Sequence, residues 1–200
     1  MDAFALLKEL VAIDSTNPGK GEGELANYLI SVLGKPFEIA GGFYERIDCE
    51  EKRPILRFVL PGENAEKCFS FICHMDTVPV GLNWSRNPFG ELDGKRFYGR
   101  GSSDMKAGLA SASAAFLFLL EEIHSAQTEG KRKKLSSTLQ IIFSYDEEGD
   151  MRGVEEAIKR GWITKDTLLM DTEPTDGSIQ TAHKGRFWYR ILFHGKAAHA

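Results

Sequence analysis

An α/β fold, a mostly parallel sheet flanked by helices on both faces, is predicted from three features of the sequence. Short apolar runs at Cys68–Cys73, Leu139–Phe143 and Leu168–Met170 read as strands, the second of them buried. Helical patterns at Ala107–Leu120 and Arg152–Lys159 lie between them, the alternation that builds a parallel sheet. Hydrophobic residues make up 42% and aromatic residues 10% of the 200 positions, enough to bury a substantial core.

Each element has its own signal. Asp2 can cap a first helix that carries Phe4, Leu7, Leu10 and Val11 on or near one face, and Ser15-Thr16-Asn17-Pro18-Gly19 stops it. A second helix is expected from Glu22 to Leu33, with Gly34 as its break. Strands follow at Phe43–Ile47, Ile55–Leu60 and Cys68–Cys73, and Pro61-Gly62-Glu63-Asn64 turns the chain between the last two. Glu91–Tyr98 has the form of a hairpin with Asp93-Gly94 at its turn. Asp104 can start the apolar helix that runs through Leu120. The strand Leu139–Phe143, a helix from Arg152 to Lys159 ending at Gly161, the strand Leu168–Met170 and an alternating strand at Phe187–Phe193 complete the series.

Composition excludes several classes of function. A formal net charge of −4 argues against a general nucleic-acid binder, and Lys131-Arg132-Lys133-Lys134 is expected to be a solvated loop. Three cysteines, Cys49, Cys68 and Cys73, form no C-x-x-C pair and fit free thiols in a reducing compartment. Cys73, among apolar neighbours, is expected to be a buried small residue. The N-terminus lacks the basic region of a signal peptide, and the apolar run Ala107–Leu120 is too short to span a bilayer. A soluble, cytoplasmic protein with no membrane and no nucleic-acid partner is expected.

The chemistry begins at His74. An imidazole at the end of an apolar strand, with Asp76 two residues on, suits a metal ligand whose ring is oriented by an acid. Taken alone, a His-x-Asp triplet is more often an ordinary loop. It gains weight because three apolar strands end in ligand-type residues: Cys73 into His74, Phe143 into Glu147 and Glu148, Met170 into Asp171 and Glu173. In open α/β sheets the ligand crevice lies outside the carboxyl ends of the strands. One histidine with several carboxylates is a borderline-hard set, suited to zinc, manganese or cobalt and poorly to copper. A nucleotide-binding reading of Gly99-x-Gly101 fails, because Asp104 stands where a third glycine would meet the pyrophosphate. Ser102 and Ser103 lie in no nucleophile elbow.

These segments, in this order, resemble the zinc amidohydrolase and peptidase family of acetylornithine deacetylase, succinyl-diaminopimelate desuccinylase, aminoacylase and glutamate carboxypeptidase. The matching stretches are His74-Met75-Asp76-Thr77-Val78-Pro79, Asn87-Pro88-Phe89, Gly99-Arg100-Gly101-Ser102-Ser103-Asp104-Met105-Lys106-Ala107-Gly108, Asp146-Glu147-Glu148-Gly149, Glu173-Pro174-Thr175 and Gly195-Lys196-Ala197-Ala198-His199-Ala200. The resemblance implies a zinc-exopeptidase-like catalytic domain that binds two divalent metal ions, zinc first, with cobalt or manganese as alternatives. It implies Asp104 as the bridging ligand, His74 and Glu173 on one ion and Glu148 on the other, with Asp171 an alternative to Glu173. Asp76 would support the His74 ring, Glu147 would be the general base, and His199 would reach a neighbouring subunit's site as an oxyanion donor. His124, His183 and His194 have no such match.

The implied reaction is hydrolysis of the amide bond of a small N-acyl amino acid or dipeptide, by a homodimer in the full-length form. The resemblance further implies that residues 1–184 are the amino-terminal part of the catalytic domain and 185–200 the start of a lid or dimerisation domain. A returning segment, with a late histidine for the second metal, would follow Ala200, leaving the sheet incomplete at its C-terminus. The competing expectation is a truncated or degenerate metal-binding module without hydrolytic activity of its own.

Overall fold

The computed structural model describes residues 2–131, 135–182, 184, 185, 187 and 189–196. Four helices and seven strands are assigned among them: α1 (Ala3–Ala12), α2 (Glu22–Ile39), β1 (Phe43–Glu50), β2 (Arg53–Leu60), β3 (Asn64–His74), β4 (Glu91–Asp93), β5 (Arg96–Tyr98), α3 (Lys106–Thr128), β6 (Ser137–Ser144), α4 (Arg152–Lys159) and β7 (Thr167–Asp171). Five strands form one sheet in the order β1-β2-β6-β3-β7, and β4 and β5 form a separate hairpin. β6 pairs parallel with β3, and β3 with β7; β2 is antiparallel to both β1 and β6. Four of the five strands therefore share one direction, with β2 reversed.

Helices cover both faces, as the alternation predicts. α1, α2 and α3 bury the larger cluster, which includes Leu6, Leu29, Phe37, Phe58, Phe116 and Phe143. On the opposite face, Ala157 of α4 packs with Ile55, Ile142, Tyr145 and Trp162. Aromatic rings tie the first core together: Phe37 lies 5.1 Å from Phe58 and 5.6 Å from Phe116, centroid to centroid.

Asp2 caps α1 by accepting the Ala5 N–H at 2.7 Å. The inward face is Leu6, Leu10 and Val11; Phe4 is displaced to the edge, where its ring meets Phe97. α2 does not break at Gly34. That glycine is buried beside the Tyr44 ring, where a Cβ would stand 3.3 Å away, so it serves close packing. The helix continues through Pro36 because Phe37, fully buried, must reach the core, and it ends where Gly41 takes φ +88°. In the hairpin, Asp93 pairs with Arg96, so Gly94-Lys95 and not Asp93-Gly94 makes the turn, with Gly94 at φ +58°.

α3 starts at Lys106, two residues after Asp104, and runs past Leu120 because Ile123 extends its buried stripe. At 23 residues it is long and apolar enough to cross a bilayer, against the expectation drawn from Ala107–Leu120; Leu109, Phe116, Leu120 and Ile123 are nonetheless buried in the core. The strand expected at Phe187–Phe193 is absent among its described residues, which pair with no other strand and expose Phe187, Tyr189, Leu192 and Phe193. Alternation marks a strand only where a partner edge accepts it.

Lys106 is 1% exposed, and its Nζ donates to the carbonyls of Leu10 at 2.9 Å and Ile13 at 2.8 Å. It thus closes the C-terminus of α1, whose last turn carries no basic residue of its own. Burial lowers the ammonium to about 8, with Asp14 opposing. Above that pH the folded chain holds fewer protons at this site than the unfolded chain, whose lysine titrates at roughly 10.4, so folding becomes more favourable as pH rises through the interval. The stability of the wild-type chain relative to Lys106→Met is accordingly expected to grow between about pH 8 and pH 10, by up to about 3 kcal/mol, read from urea midpoints of the two proteins. A difference that is flat or shrinks over that range would contradict it.

Candidate metal centre

Strand register decides where the ligand-type side chains stand. His74 lies level with Ser144 of β6, and Ile72 level with Asp171 of β7. The three parallel strands therefore finish at one edge of the sheet, and the residues that follow them meet there. His74 Nε2 stands 3.2 Å from Asp104 Oδ1, 3.4 Å from Glu173 Oε1 and 3.9 Å from Glu147 Oε2. Asp104 comes from the loop before α3, and its peptide bond to Met105 is cis. One donor atom each from His74, Asp104 and Glu148 lies within 4.8 Å of the others, and the same holds for His74, Glu147 and Glu173. Asp171 falls in neither group, so the geometry favours Glu173 over it.

One imidazole and four carboxylates form a donor set that fits a divalent cation of zinc, cobalt or manganese type. The electrostatics agree. Burial opposes a charged His74, but Asp104 and Asp76 at its two nitrogens, with Glu173 nearby, raise the imidazole to about 11. Asp104 is held low by its hydrogen bond to His74, against burial. Burial pushes Glu173 up to about 8, with His74 opposing and the neighbouring acids adding to the rise. Glu148 is raised by burial and then by Asp104. Protons offset here the negative charge that a cation would offset.

Asp76 is fully buried beneath this cluster. The acceptor nearest the His74 ring is not its carboxylate, as the spacing suggests, but its main-chain oxygen, 2.9 Å from Nδ1; the carboxylate Oδ1 is at 3.5 Å. The carboxylate is turned toward other donors. Oδ1 accepts the Glu147 N–H and Oδ2 the Glu148 N–H, both at 3.1 Å, and Oδ2 also accepts Asn17 Nδ2 at 2.8 Å. Burial alone would raise Asp76, but His74, Asn17 and the Glu147 amide bring it below its usual range.

The first acid of the Asp146-Glu147-Glu148 triplet has a different task. Asp146, 3% exposed and in the left-handed region at φ +66°, accepts from Asn17 at 3.0 Å, Arg53 at 3.0 Å and Arg152 at 2.6 Å. Despite its burial, these donors hold it well below the ordinary carboxylate range, Arg152 first. Arg53 also bonds buried Glu22 at 2.7 Å, and Arg152 pairs with Glu50. Sequence reasoning passed over Asn17, Glu22, Arg53 and Arg152. Only the Asn-Pro pair and the acid preceding Glu147 hinted at them, because no local pattern announces partners 93 or 129 positions apart.

A cavity of about 110 Å³ adjoins the donor set on the α4 side, bounded by Ile72, Val154 and Leu169 and by His74, Glu147 and Glu173. His199 and His183 lie outside the described residues; His124 and His194 are exposed and belong to neither donor group.

The fold and the donor set define the class first: an α/β domain whose parallel strand ends gather side chains of metal-ligand type. The particular family is shown by comparison: the model for peptidase family M20/M25/M40 matches residues 71–185, and the chain belongs to that family. A probable succinyl-diaminopimelate desuccinylase of Staphylococcus aureus is 30% identical over 203 residues, covering 100% of this chain and 46% of the relative. The succinyl-diaminopimelate desuccinylase of Rhodospirillum rubrum is 30% identical over 213 residues, covering 99% and 52%. The chain thus spans about half the length of these relatives. Among solved structures, an M20 family metallo-carboxypeptidase from Sulfolobus solfataricus superposes with a TM-score of 0.60 at 22% identity, over 86% of this chain and 37% of its own, which shows the fold. Aminopeptidase PepT from Bacillus cereus gives 0.55 at 25% identity, over 81% and 40%.

Removing Asp146 takes from Arg53 and Arg152 the buried carboxylate they share and leaves each with its other partner, Glu22 and Glu50. Asp146→Ala is expected to lower stability by about 3–5 kcal/mol, and Asp146→Asn, which keeps an acceptor and tolerates the left-handed backbone, by clearly less. Urea denaturation of the three proteins at pH 7 checks this; an alanine variant as stable as the wild type would refute the anchoring role.

Proposed function

We propose that this chain carries the metal-binding part of a two-metal hydrolase that cleaves the amide bond of a small N-acyl amino acid or short peptide. The observation that carries the reading is the meeting of His74, Asp104, Glu147, Glu148 and Glu173 at one edge of the sheet. Asp104 is assigned as the ligand common to two cations, His74 and Glu173 to one of them and Glu148 to the other. Zinc is the first candidate, with cobalt or manganese as alternatives. Bound divalent ions of this kind lower the pKa of a water molecule and polarise a carbonyl.

The remaining work falls to the chain's own residues. The Glu147 carboxylate takes a proton from the attacking water and returns it to the leaving amine, the task of a general base and then acid. Its main-chain N–H is fixed on Asp76, so its carboxylate is presented from a rigid turn. Asp76 holds the His74 ring through its main-chain oxygen. His199 is assigned, from the Gly195–Ala200 match alone, as the donor to the developing oxyanion in a partner subunit of a homodimer. Residues 1–184 are assigned to the catalytic domain and 185–200 to the start of a lid or dimerisation domain. Relatives named succinyl-diaminopimelate desuccinylase support a small acylated substrate, and the likeness to an aminopeptidase supports a peptide as the other class.

The test is a panel of N-succinyl and N-acetyl amino acids and dipeptides, assayed before and after removal of metal with a chelator. Hydrolysis is expected to cease on chelation and return with zinc or cobalt. Glu147→Gln is expected to lower kcat by about 10²–10⁴ with bound metal retained. Full activity in that variant would remove Glu147 as the base. Metal uptake with no turnover on any substrate would leave a binding module in place of an enzyme.

A further inference from the structure

We infer that Asn17, which hydrogen-bonds none of the five donor side chains, is the residue that positions two of them, Glu147 and Glu148. The inference deepens the two-metal reading and rests on it where metal affinity is concerned. Asn17 is 9% exposed, and its place is set by the main chain. Its N–H donates to Thr77 O at 2.8 Å, and Thr77 N–H donates to Ser15 O at 3.1 Å, so residues 15–17 are laced to the loop that begins at Asp76.

Held there, the side-chain amide faces two buried carboxylates. Its single nitrogen lies 2.8 Å from Asp76 Oδ2 and 3.0 Å from Asp146 Oδ1. A primary amide has two N–H groups, one for each acceptor. Asp76 accepts the main-chain N–H of both Glu147 and Glu148, and Asp146 heads the same turn. One amide therefore joins the carboxylate under the turn to the carboxylate at its head.

Without that amide, the two buried carboxylates would lose the donor they share, and each would be short of one hydrogen bond in a site closed to water. Arg152 holds Asp146 Oδ2, and Arg53 donates to Oδ1, the oxygen that Asn17 also meets; neither of these bonds reaches Asp76, so neither replaces the link that Asn17 makes. Asp76 would be drawn away and would take the Glu147 and Glu148 amides with it. A serine offers one donor where two are required. An aspartate would add a third carboxylate.

Amide hydrogen exchange of the metal-free chain, resolved at Glu147 and Glu148, tests this together with Zn²⁺ affinity by chelator competition. Asn17→Leu is expected to speed exchange at those two amides about tenfold or more while the amides of Ile141–Phe143 in β6 keep their rates, and to weaken Zn²⁺ binding by about 10–100-fold. Asn17→Ser, with one donor left, is expected to give the same pattern at smaller size, and it is the variant to read if Asn17→Leu does not fold. Unchanged exchange at Glu147 and Glu148 in a folded variant would overturn the inference, as would a uniform rise across β6, which marks general loosening. If the wild type takes up no Zn²⁺ while Asn17→Leu frees the two amides, the two-metal reading falls and the role of Asn17 stands. If the wild type binds Zn²⁺ and both variants match it in exchange and affinity, the role of Asn17 falls and the metal reading stands.

Discussion

Repulsion between carboxylates is the constraint on which the rest of this structure depends. Asp76, Asp104, Asp146, Glu147, Glu148 and Glu173 all approach one edge of the sheet, several of them shielded from water. Two like charges 4 Å apart cost about 4 kcal/mol even at an effective dielectric of 20, so each acid needs an explicit answer. The answers differ from acid to acid. Among the donor side chains, the imidazole of His74 takes up a proton between Asp104, Glu147 and Glu173. Asp76 is satisfied by a neutral amide and two main-chain N–H groups. Asp146 shares that amide and is met by two arginines, one of them shared with Glu22.

That division separates stability from position. A buried ion pair often adds little net stability, because desolvation offsets the attraction. Glu22 shows the cost directly: burial raises its carboxyl even though Arg53 lies 2.7 Å away. What the network does supply is a fixed location for a turn in which Asp146 occupies a left-handed conformation and two further acids follow at once. The apolar clusters on the two faces of the sheet hold the strands, and the polar network between them holds the loops those strands deliver.

Much of this was legible in the sequence, and the remainder has physical reasons. The apolar runs identified β2, β6 and the end of β3 because burial leaves little room for polar residues there, and they identified β7 although Leu168, Leu169 and Met170 are exposed at the edge of the sheet. The recurrence of acids at strand ends pointed to one site because parallel strands deliver their carboxyl ends to one edge. Tertiary burial overrode local signals elsewhere. Gly34 reads as a stop but allows close packing beside Tyr44, and Phe37 draws the helix onward past Pro36. Leu6, not Phe4, lies at the centre of the α1 contact, since four apolar residues in one turn leave the phase of the face open. Asn17 and Arg53 were illegible as site residues because what they do depends on partners that only the folded chain brings near.

The bond from Lys106 to the end of α1 has a consequence for how the chain is made. Its acceptor carbonyls lie at the end of α1, yet the donor is encoded 96 and 93 codons later. For that whole interval of translation the helix lacks the ammonium that finishes it, and its apolar stripe lacks the side of α3 against which it closes. α1 thus gains its closing bonds only after the start of α3 has been made, and one lysine ties the completion of the one helix to the arrival of the other.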